Sequence, residues 1–356
     1  MNKKITFIIY SLDCGGSERV VSLLANYFSI NNHVEILVFS SNPSFYSLNN
    51  NIKYTIINYK KFNDFFSKFN SLSRIIALRK LFRKRKGNVF ISFTTTINLI
   101  SLISNLFLNR KLIISERTDP ASENLSFLKS FLRSLTYTLS HHLVLQNKAQ
   151  YNFYKSIISE SQISIIENPI SQFEPANYLN TDVNIINIGR LVETKNQIDL
   201  IDAFIKSKLN CKLYIIGEGP LKEKLHNYII SRNQKDKIFL VGLIDNVNDF
   251  LHSNNIFAST SILEGYPNAL LEAMNAGLSC LHYDCPSGVN EIIKDGHNGL
   301  LSPINNVELF SSKLIMLYSD KELRNKLGNN AIMSLKELDI ESISSKWLEL
   351  IKSCNQ

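Results

Sequence analysis

The residues best suited to chemistry lie in the run S-T-S-I-L-E-G-Y-P-N-A-L-L-E-A-M-N-A-G, with Glu264 and Glu272 on either side of Pro267. Pro267 suits the first turn of a helix, because its missing N–H would have no partner there anyway. The N–H groups of Asn268, Ala269 and Leu270 would then be open donors at the positive end of a helix dipole, a ready site for phosphate oxygens. Glu264 would precede that helix and Glu272 would sit in its second turn, one reaching past the phosphates and the other toward a ribose. Carboxylates accept hydrogen bonds from vicinal hydroxyls, which is what holding two sugar rings requires. On spacing alone, an acidic loop residue beside an ordinary exposed helix glutamate is an equal reading.

Two clusters upstream could serve the same ligand. In N-I-G-R-L-V-E-T-K-N-Q, Arg190 follows a buried strand and Lys195 starts the next helix. Both cations are therefore expected at the carboxyl edge of a sheet, where they would neutralise a diphosphate leaving group as a glycosidic bond breaks. Solvated loop charges are the alternative. The stretch I-I-G-E-G-P-L-K-E-K-L ends a strand in Gly217 and Gly219. Glycines there would let a nucleotide approach the backbone, and Gly242, closing the next strand, would border the same base pocket. A plain strand-to-helix turn explains these glycines equally well.

The first half of the chain offers D-C-G-G-S-E-R, with Gly15, Gly16 and Ser17 between a strand and a helix. A dinucleotide fingerprint is excluded: G-x-G-x-x-G is absent, and the acid about twenty residues on, Glu35, falls near the start of its strand. I-I-S-E-R-T-D-P brings Glu116 and Arg117 to the end of another strand, although Asp119-Pro120 is equally good helix-start chemistry. His141 and His142 read as packing or edge residues. The five cysteines form no C-x-x-C pair, so Cys280 and Cys285 read as reduced thiols and no metal is expected.

Short apolar runs alternating with amphipathic helices must position these residues, the pattern of parallel sheets with crossover helices. Strands are expected at 5–11, 33–40, 52–59, 88–94, 111–117, 142–146 and 164–167, with helices clearest over 18–28 and 125–139. Asn168-Pro169 closes this series, and a second begins with strands at 184–189, 211–217, 237–242, 255–261 and 278–284. The expected organisation is a first domain over 1–168, a linker over 169–182, a second domain over 183–337 and a helix over 338–356 packing back toward the first domain. The fold class is α/β, with two Rossmann-like doubly wound domains. Such domains bind ligands at the carboxyl ends of their strands, so a cleft between them is the default active site.

The second-half clusters, in their order, resemble the donor domain of family 4 retaining glycosyltransferases with the GT-B fold. Glu264 and Glu272 match the E-x7-E motif, and Gly189, Arg190, Leu191 and Lys195 match G-R-L-x-x-x-K. The resemblance implies that Arg190 and Lys195 bind the donor pyrophosphate, Glu272 the ribose and Glu264 the transferred sugar. It also implies that the Gly15–Gly16–Ser17 loop sits against the donor phosphates and acceptor hydroxyl. The S-E-R-x-D-P segment is similar to that of amino-sugar transferases of bacterial glycan assembly, making Glu116 a catalytic candidate and Arg117 a sugar-pocket candidate. The loop with Ser287 and Gly288 would touch the sugar, but it departs from the family pattern at Val289 and Asn290. The activity implied is metal- and cofactor-independent transfer of a hexose or N-acetylhexosamine (GalNAc, GlcNAc or Gal) from a UDP-sugar. The acceptor would be a growing O antigen, capsule or lipid-linked glycan. A noncatalytic subunit supporting a partner transferase is the alternative.

Charge is concentrated in one place. The chain carries a net charge of +8, yet the segment from Lys53 to Lys86 alone carries +10, leaving −2 on the remainder. Within it, L-S-R-I-I-A-L-R-K-L-F-R-K-R-K interleaves apolar residues with Arg79, Lys80, Arg83, Lys84 and Arg85. As a helix this suits an anionic membrane surface, or a core-packed helix with a solvated basic face. A polyisoprenyl-diphosphate-linked acceptor would explain the membrane reading. Nucleic acid is disfavoured, because Phe82 alone supplies aromatic interleaving. The opening apolar run is too short for a signal-peptide core, and no stretch approaches a membrane span. A cytoplasmic protein, peripheral on the cytoplasmic face of the membrane, is the expectation.

Overall fold

A computed structural model describes residues 3–62, 69–120, 126–170, 183–244, 247–253, 255–286 and 288–354. The chain divides into unit 1, Met1–Pro169 with Ile340–Gln356, and unit 2, Ile170–Asp339. Of the expected linker at 169–182, residues 171–182 lie outside the described residues, while Pro169 belongs to unit 1 and Ile170 to unit 2.

Unit 1 is built on strands β1 (Lys4–Ile9), β2 (His33–Val38), β3 (Lys53–Ile56), β4 (Val89–Phe93), β5 (Leu112–Ser115), β6 (His142–Leu145) and β7 (Ile163–Ile165). Helices α1 (Gly16–Ser29), α2 (Phe69–Lys84), α3 (Thr95–Asn105), α4 (Phe127–Thr136) and α5 (Lys148–Tyr154) connect them. All neighbouring strands are parallel, in the order β3-β2-β1-β4-β5-β6-β7. Every residue of β4 is buried, as strands covered on both faces must be.

Unit 2 holds β8 (Ile185–Ile188), β9 (Leu213–Ile216), β10 (Ile238–Gly242), β11 (Ile256–Ser259), β12 (Ser279–Tyr283) and β13 (Leu300–Ser302). Helices α6 (Gln197–Ser207), α7 (Lys222–Ser231), α8 (Val247–His252), α9 (Asn268–Asn275), α10 (Val289–Ile292), α11 (Val307–Ser319) and α12 (Lys321–Ser334) surround that sheet. Its order is β10-β9-β8-β11-β12-β13, again parallel. Strand β13 is absent from the sequence reading because L-L-S is too short to show a period.

The final helix, α13 (Ile340–Ser353), belongs to unit 1. It packs on α1, and Trp347 stacks on Phe93 with ring centroids 6.1 Å apart. Burial of a side chain this large contributes about 3 kcal/mol, enough to hold the chain end on this unit.

In each sheet the direction of strand addition reverses once, between β1 and β4 in unit 1 and between β8 and β11 in unit 2. Loops leaving the carboxyl ends of the two strands at such a point diverge, and a crevice opens between them.

Candidate donor-binding site

In unit 2 the loops flanking the reversal point are the ones that carry Lys195 and Glu264. Lys195 closes a single 3-10 turn, Glu193–Lys195, before α6 begins at Gln197. The expectation that Lys195 starts the helix is therefore corrected: Asn196 adopts a left-handed conformation (φ +46°) between turn and helix. That kink turns Lys195 across the sheet end, where Nζ contacts both Glu264 carboxylate oxygens at 2.5 and 2.7 Å. The two loops are also joined by their backbones. Ile262 donates its N–H to the Thr194 carbonyl at 3.0 Å, and the Thr260 hydroxyl donates to the Asn196 carbonyl at 2.8 Å. The polar run Ser259–Thr260–Ser261 thus locks the pair in place, a role that sequence reasoning missed.

Glu264 is buried. Burial by itself would raise its carboxyl, but the charge of Lys195, then that of His282, and hydrogen bonds from Lys195 and Ser261 hold it below the ordinary value. The site therefore presents an ionised carboxylate at neutral pH. His282 is a second residue absent from the sequence reading. It lies on β12, one residue before the strand's end, in register with Ser259, and burial pushes its imidazole down. Its Nδ1 lies 2.7 Å from the Tyr283 carbonyl oxygen, which can only accept, so Nδ1 carries the proton and Nε2 a lone pair.

Helix α9 starts at Asn268, with Pro267 as the residue before it. N-A-L-L-E-A-M is rich in strong helix formers. Gly277 (φ +79°) stops the helix, with Leu278 N–H bonded to the Ala273 carbonyl and Gly277 N–H to that of Met274, both at 3.0 Å. The expectation of three open amides is corrected in one respect: Asn268 N–H bonds to the Tyr266 carbonyl at 2.9 Å, leaving those of Ala269 and Leu270 to open the helix. Glu272 is buried in its second turn.

Arg190 is exposed beyond the end of β8, where its carbonyl accepts from Gln197 Nε2 at 3.0 Å. The glycines of the neighbouring turn are also required by the packing of the chain itself. A Cβ on Gly217 would overlap the Gly189 carbonyl oxygen, and one on Gly219 would overlap the Leu191 carbonyl. Both glycines let the β9 turn press against the loop that carries Arg190; their small size serves chain-to-chain contact. Gly242 (φ +84°) bonds through its carbonyl to Gly217 N–H at 2.9 Å and belongs to the same assembly. Gly288 (φ +90°) precedes α10, Val289 is packed in the core, and Ser287 lies outside the described residues. Val289 therefore does not line a sugar pocket.

Unit 1 corrects the two candidates after β5. Glu116 is fully buried, and its carboxylate accepts from the hydroxyls of Tyr137 (2.6 Å), Thr95 (2.9 Å) and Tyr154 (3.1 Å). Its place is structural, joining α3, α5 and the turn after α4. Arg117 is also buried, with its guanidinium 4.9 Å from the Phe93 ring and 6.0 Å from Trp347, and bonded to Asn168. It holds α13 through Trp347. His141 and His142 are packing residues that bond to Leu112 N–H and the Ser164 hydroxyl. Gly15 precedes α1, Gly16 and Ser17 begin it, and Tyr46 donates to the Gly15 carbonyl at 3.0 Å.

The five cations on α2 and just beyond its end divide. Arg85 turns inward to bind Glu35 at 2.6 and 2.8 Å, and Arg79 donates to the carbonyls of Ser104 and Leu106. These two serve the fold and are withdrawn from the surface set; Lys80, Arg83 and Lys84 are exposed. Beside them α2 and edge strand β3 border a groove of about 560 Å³ lined by Ile56, Phe69, Leu72 and Ile76.

Two doubly wound parallel units, one with a cation–carboxylate pair at its strand reversal, define the class of GT-B glycosyltransferases. Residues 171–333 match the family described as glycosyl transferases group 1. An alpha-1,4-N-acetyl-D-galactosaminyltransferase of Campylobacter jejuni is 29% identical over 98% of both chains; its name gives GalNAc-alpha-(1->4)-GalNAc-alpha-(1->3)-diNAcBac-PP-undecaprenol as its acceptor. The amylovoran biosynthesis glycosyltransferase AmsD of Erwinia amylovora is 27% identical over 99% of this chain and 100% of its own. Among solved structures, Anabaena HepE in complex with UDP and glucose superposes with a TM-score of 0.84 at 15% identity, covering 99% of this chain and 100% of that one. Among the described residues no group of three or more His, Cys, Asp or Glu is placed to hold a metal, and no helix is long and apolar enough to cross a membrane.

Proposed function

We propose that this protein is a retaining glycosyltransferase that moves a hexose or N-acetylhexosamine from a UDP-sugar to a lipid-linked glycan acceptor in bacterial surface polysaccharide synthesis. The observation that carries the reading is the Lys195–Glu264 pair at the strand reversal of unit 2. The Campylobacter relative's undecaprenyl-diphosphate acceptor and the UDP bound to HepE support the choice of acceptor and donor. GalNAc, GlcNAc and Gal are the candidate sugars.

In this reading Glu264 accepts hydrogen bonds from hydroxyls of the transferred sugar, and Glu272 from those of the ribose. Lys195 and Arg190 neutralise the diphosphate as the glycosidic bond breaks, with the Ala269 and Leu270 amides at the start of α9 as further donors. Each well-placed donor lowers the barrier by about 3–4 kcal/mol. The departing phosphate oxygen takes the acceptor proton on the same face, so configuration is retained and no metal is needed. Gly15, Gly16 and Ser17, at the start of α1, are the candidates for the acceptor hydroxyl, and Gly288, before α10, is the candidate for the sugar. Lys80, Arg83 and Lys84 would meet anionic lipid at the cytoplasmic membrane face.

The test is a panel of UDP-sugars assayed by donor hydrolysis and by protection against heating. One UDP-sugar should be hydrolysed, and Glu264→Gln should abolish its hydrolysis while the variant still folds. Unchanged hydrolysis in Glu264→Gln would remove Glu264 from the site.

A further inference from the structure

Thr94 holds a conformation that its side chain resists. It is the first residue past β4 and has φ +74° and ψ +146°, a region left almost entirely to glycine and least suited to a β-branched residue. It also precedes α3, a position where threonine ordinarily turns its hydroxyl back onto the helix amides. Here the side chain makes no such cap. Thr94 is half-buried, and Thr96, in the first turn of α3, is exposed. Among the described residues neither hydroxyl has a hydrogen-bond partner.

The surroundings force this geometry. Thr94 N–H donates to the Ser115 carbonyl at 3.1 Å, and the Thr94 carbonyl accepts from Asn98 N–H at 2.8 Å. The chain is pinned on either side as well. Phe93 stacks on Trp347, and the Thr95 hydroxyl donates to Glu116 at 2.9 Å. Asn98 is fixed in turn by the Ser92 hydroxyl at 2.7 Å and the Ser115 carbonyl at 3.0 Å. The buried network around Glu116 thus over-determines the backbone at Thr94. Strain held in this way belongs to sites that meet a ligand, because glycine would serve the fold alone better.

Strand β4 borders the strand reversal of unit 1, so the chain leaving it at Thr94 forms one wall of the crevice there. The loop that leaves β1 and carries Gly15 forms the other. A hydroxyl both donates and accepts, which matches the hydroxyls of a sugar. The Glu116 carboxylate behind Thr95 disfavours an anion at the same point.

We infer that the Thr94 hydroxyl is a specificity-determining contact that holds a hydroxyl of the acceptor sugar in the unit 1 crevice, its direction fixed by the strained backbone. The inference rests on the reading above that the protein is a glycosyltransferase.

Transfer by the full-length protein from the UDP-sugar it hydrolyses to the octyl glycosides of GalNAc, GlcNAc and Gal tests it. Thr94→Val keeps the branched shape and removes the hydroxyl, whereas Thr94→Ser keeps the hydroxyl. The valine variant should raise the acceptor KM roughly three- to tenfold, the effect of one neutral hydrogen bond, with no matching rise in the donor KM. The serine variant should stay closer to the unaltered chain. Thr94→Gly should weaken acceptor use as valine does, yet melt no earlier than the unaltered chain, since relieved strain offsets the freedom that glycine gives the unfolded state. An unchanged acceptor KM in the valine variant would overturn the proposal. So would a glycine variant that melts markedly earlier, because Thr94 would then be serving the fold. An unaltered chain that hydrolyses a UDP-sugar but transfers to none of the three glycosides would overturn it too. Absence of hydrolysis for every UDP-sugar would instead fail the transferase reading.

Discussion

Glu264 and Glu116 are both buried glutamates just beyond a parallel strand, yet they hold opposite places in the molecule. Glu264 follows β11, beside the reversal of strand order in unit 2, and its partner is the half-buried Lys195. Glu116 follows β5, one strand removed from the reversal in unit 1, and its partners are three hydroxyls on surrounding helices and turns. A carboxylate opposed by a partly exposed ammonium can exchange that partner for a ligand. A carboxylate enclosed by tyrosine hydroxyls has no such exchange available. It raises Tyr137 well above its ordinary value, after the larger effect of burial, and ties elements together. Position at a strand end is thus a weak signal until partner and strand order are known.

The comparison breaks first on activity. Lys195→Ala should lower transfer by about 10²–10³-fold, as expected for loss of one charge-stabilising donor. It should also destabilise the fold by roughly 2–3 kcal/mol by stranding the Glu264 charge. Turnover and urea melts on one preparation measure both; a variant that keeps full turnover would erase the contrast between the two glutamates. Glu116→Gln should do the reverse, with turnover per folded molecule within about threefold and a stability loss of about 1–3 kcal/mol, because its amide offers donors to hydroxyls that already donate. Turnover lost without any change in melting would return Glu116 to the active site. The smallest effect is on pH dependence. The folded Glu264 carboxyl lies below its unfolded value, so its stabilisation is present above about pH 4.3 and fades as pH falls through the folded value. Glu264→Gln should therefore flatten the acid limb of stability by at most about 1.4 kcal/mol per pH unit. Urea melts between neutral and acid pH read that slope, and parallel curves would show that the carboxyl is not held low.

Much of the architecture was legible because buried parallel strands are written as unbroken apolar runs. K-I-T-F-I-I and V-F-I-S-F can hardly be anything else. Strand β13 lacked such a run and was passed over. The residues of the candidate site were legible as types: Lys195 and Glu264 stood out as charges set beside strand ends, whereas Ser259, Thr260 and His282 looked like ordinary strand residues. Arg85 reads as a surface cation until Glu35, fifty positions earlier in the chain, is found against it. The close approach of Gly217 and Gly219 to the Gly189 and Leu191 carbonyls could not be read from I-I-G-E-G-P, because the partner loop is distant in sequence.

The amino-acid sequence alone therefore determined the parallel α/β elements, the concentration of positive charge and the E-x7-E segment, since each is a local matter of period, composition or spacing. Tertiary structure decided which charges face one another. It joined Lys195 to Glu264, enclosed Glu116 and Arg117, turned Arg79 and Arg85 inward and left Phe127, Phe131 and Leu135 of α4 exposed. The physical reason is that a side chain's environment depends on strand order and helix rotation, and neither is encoded within the few residues around it.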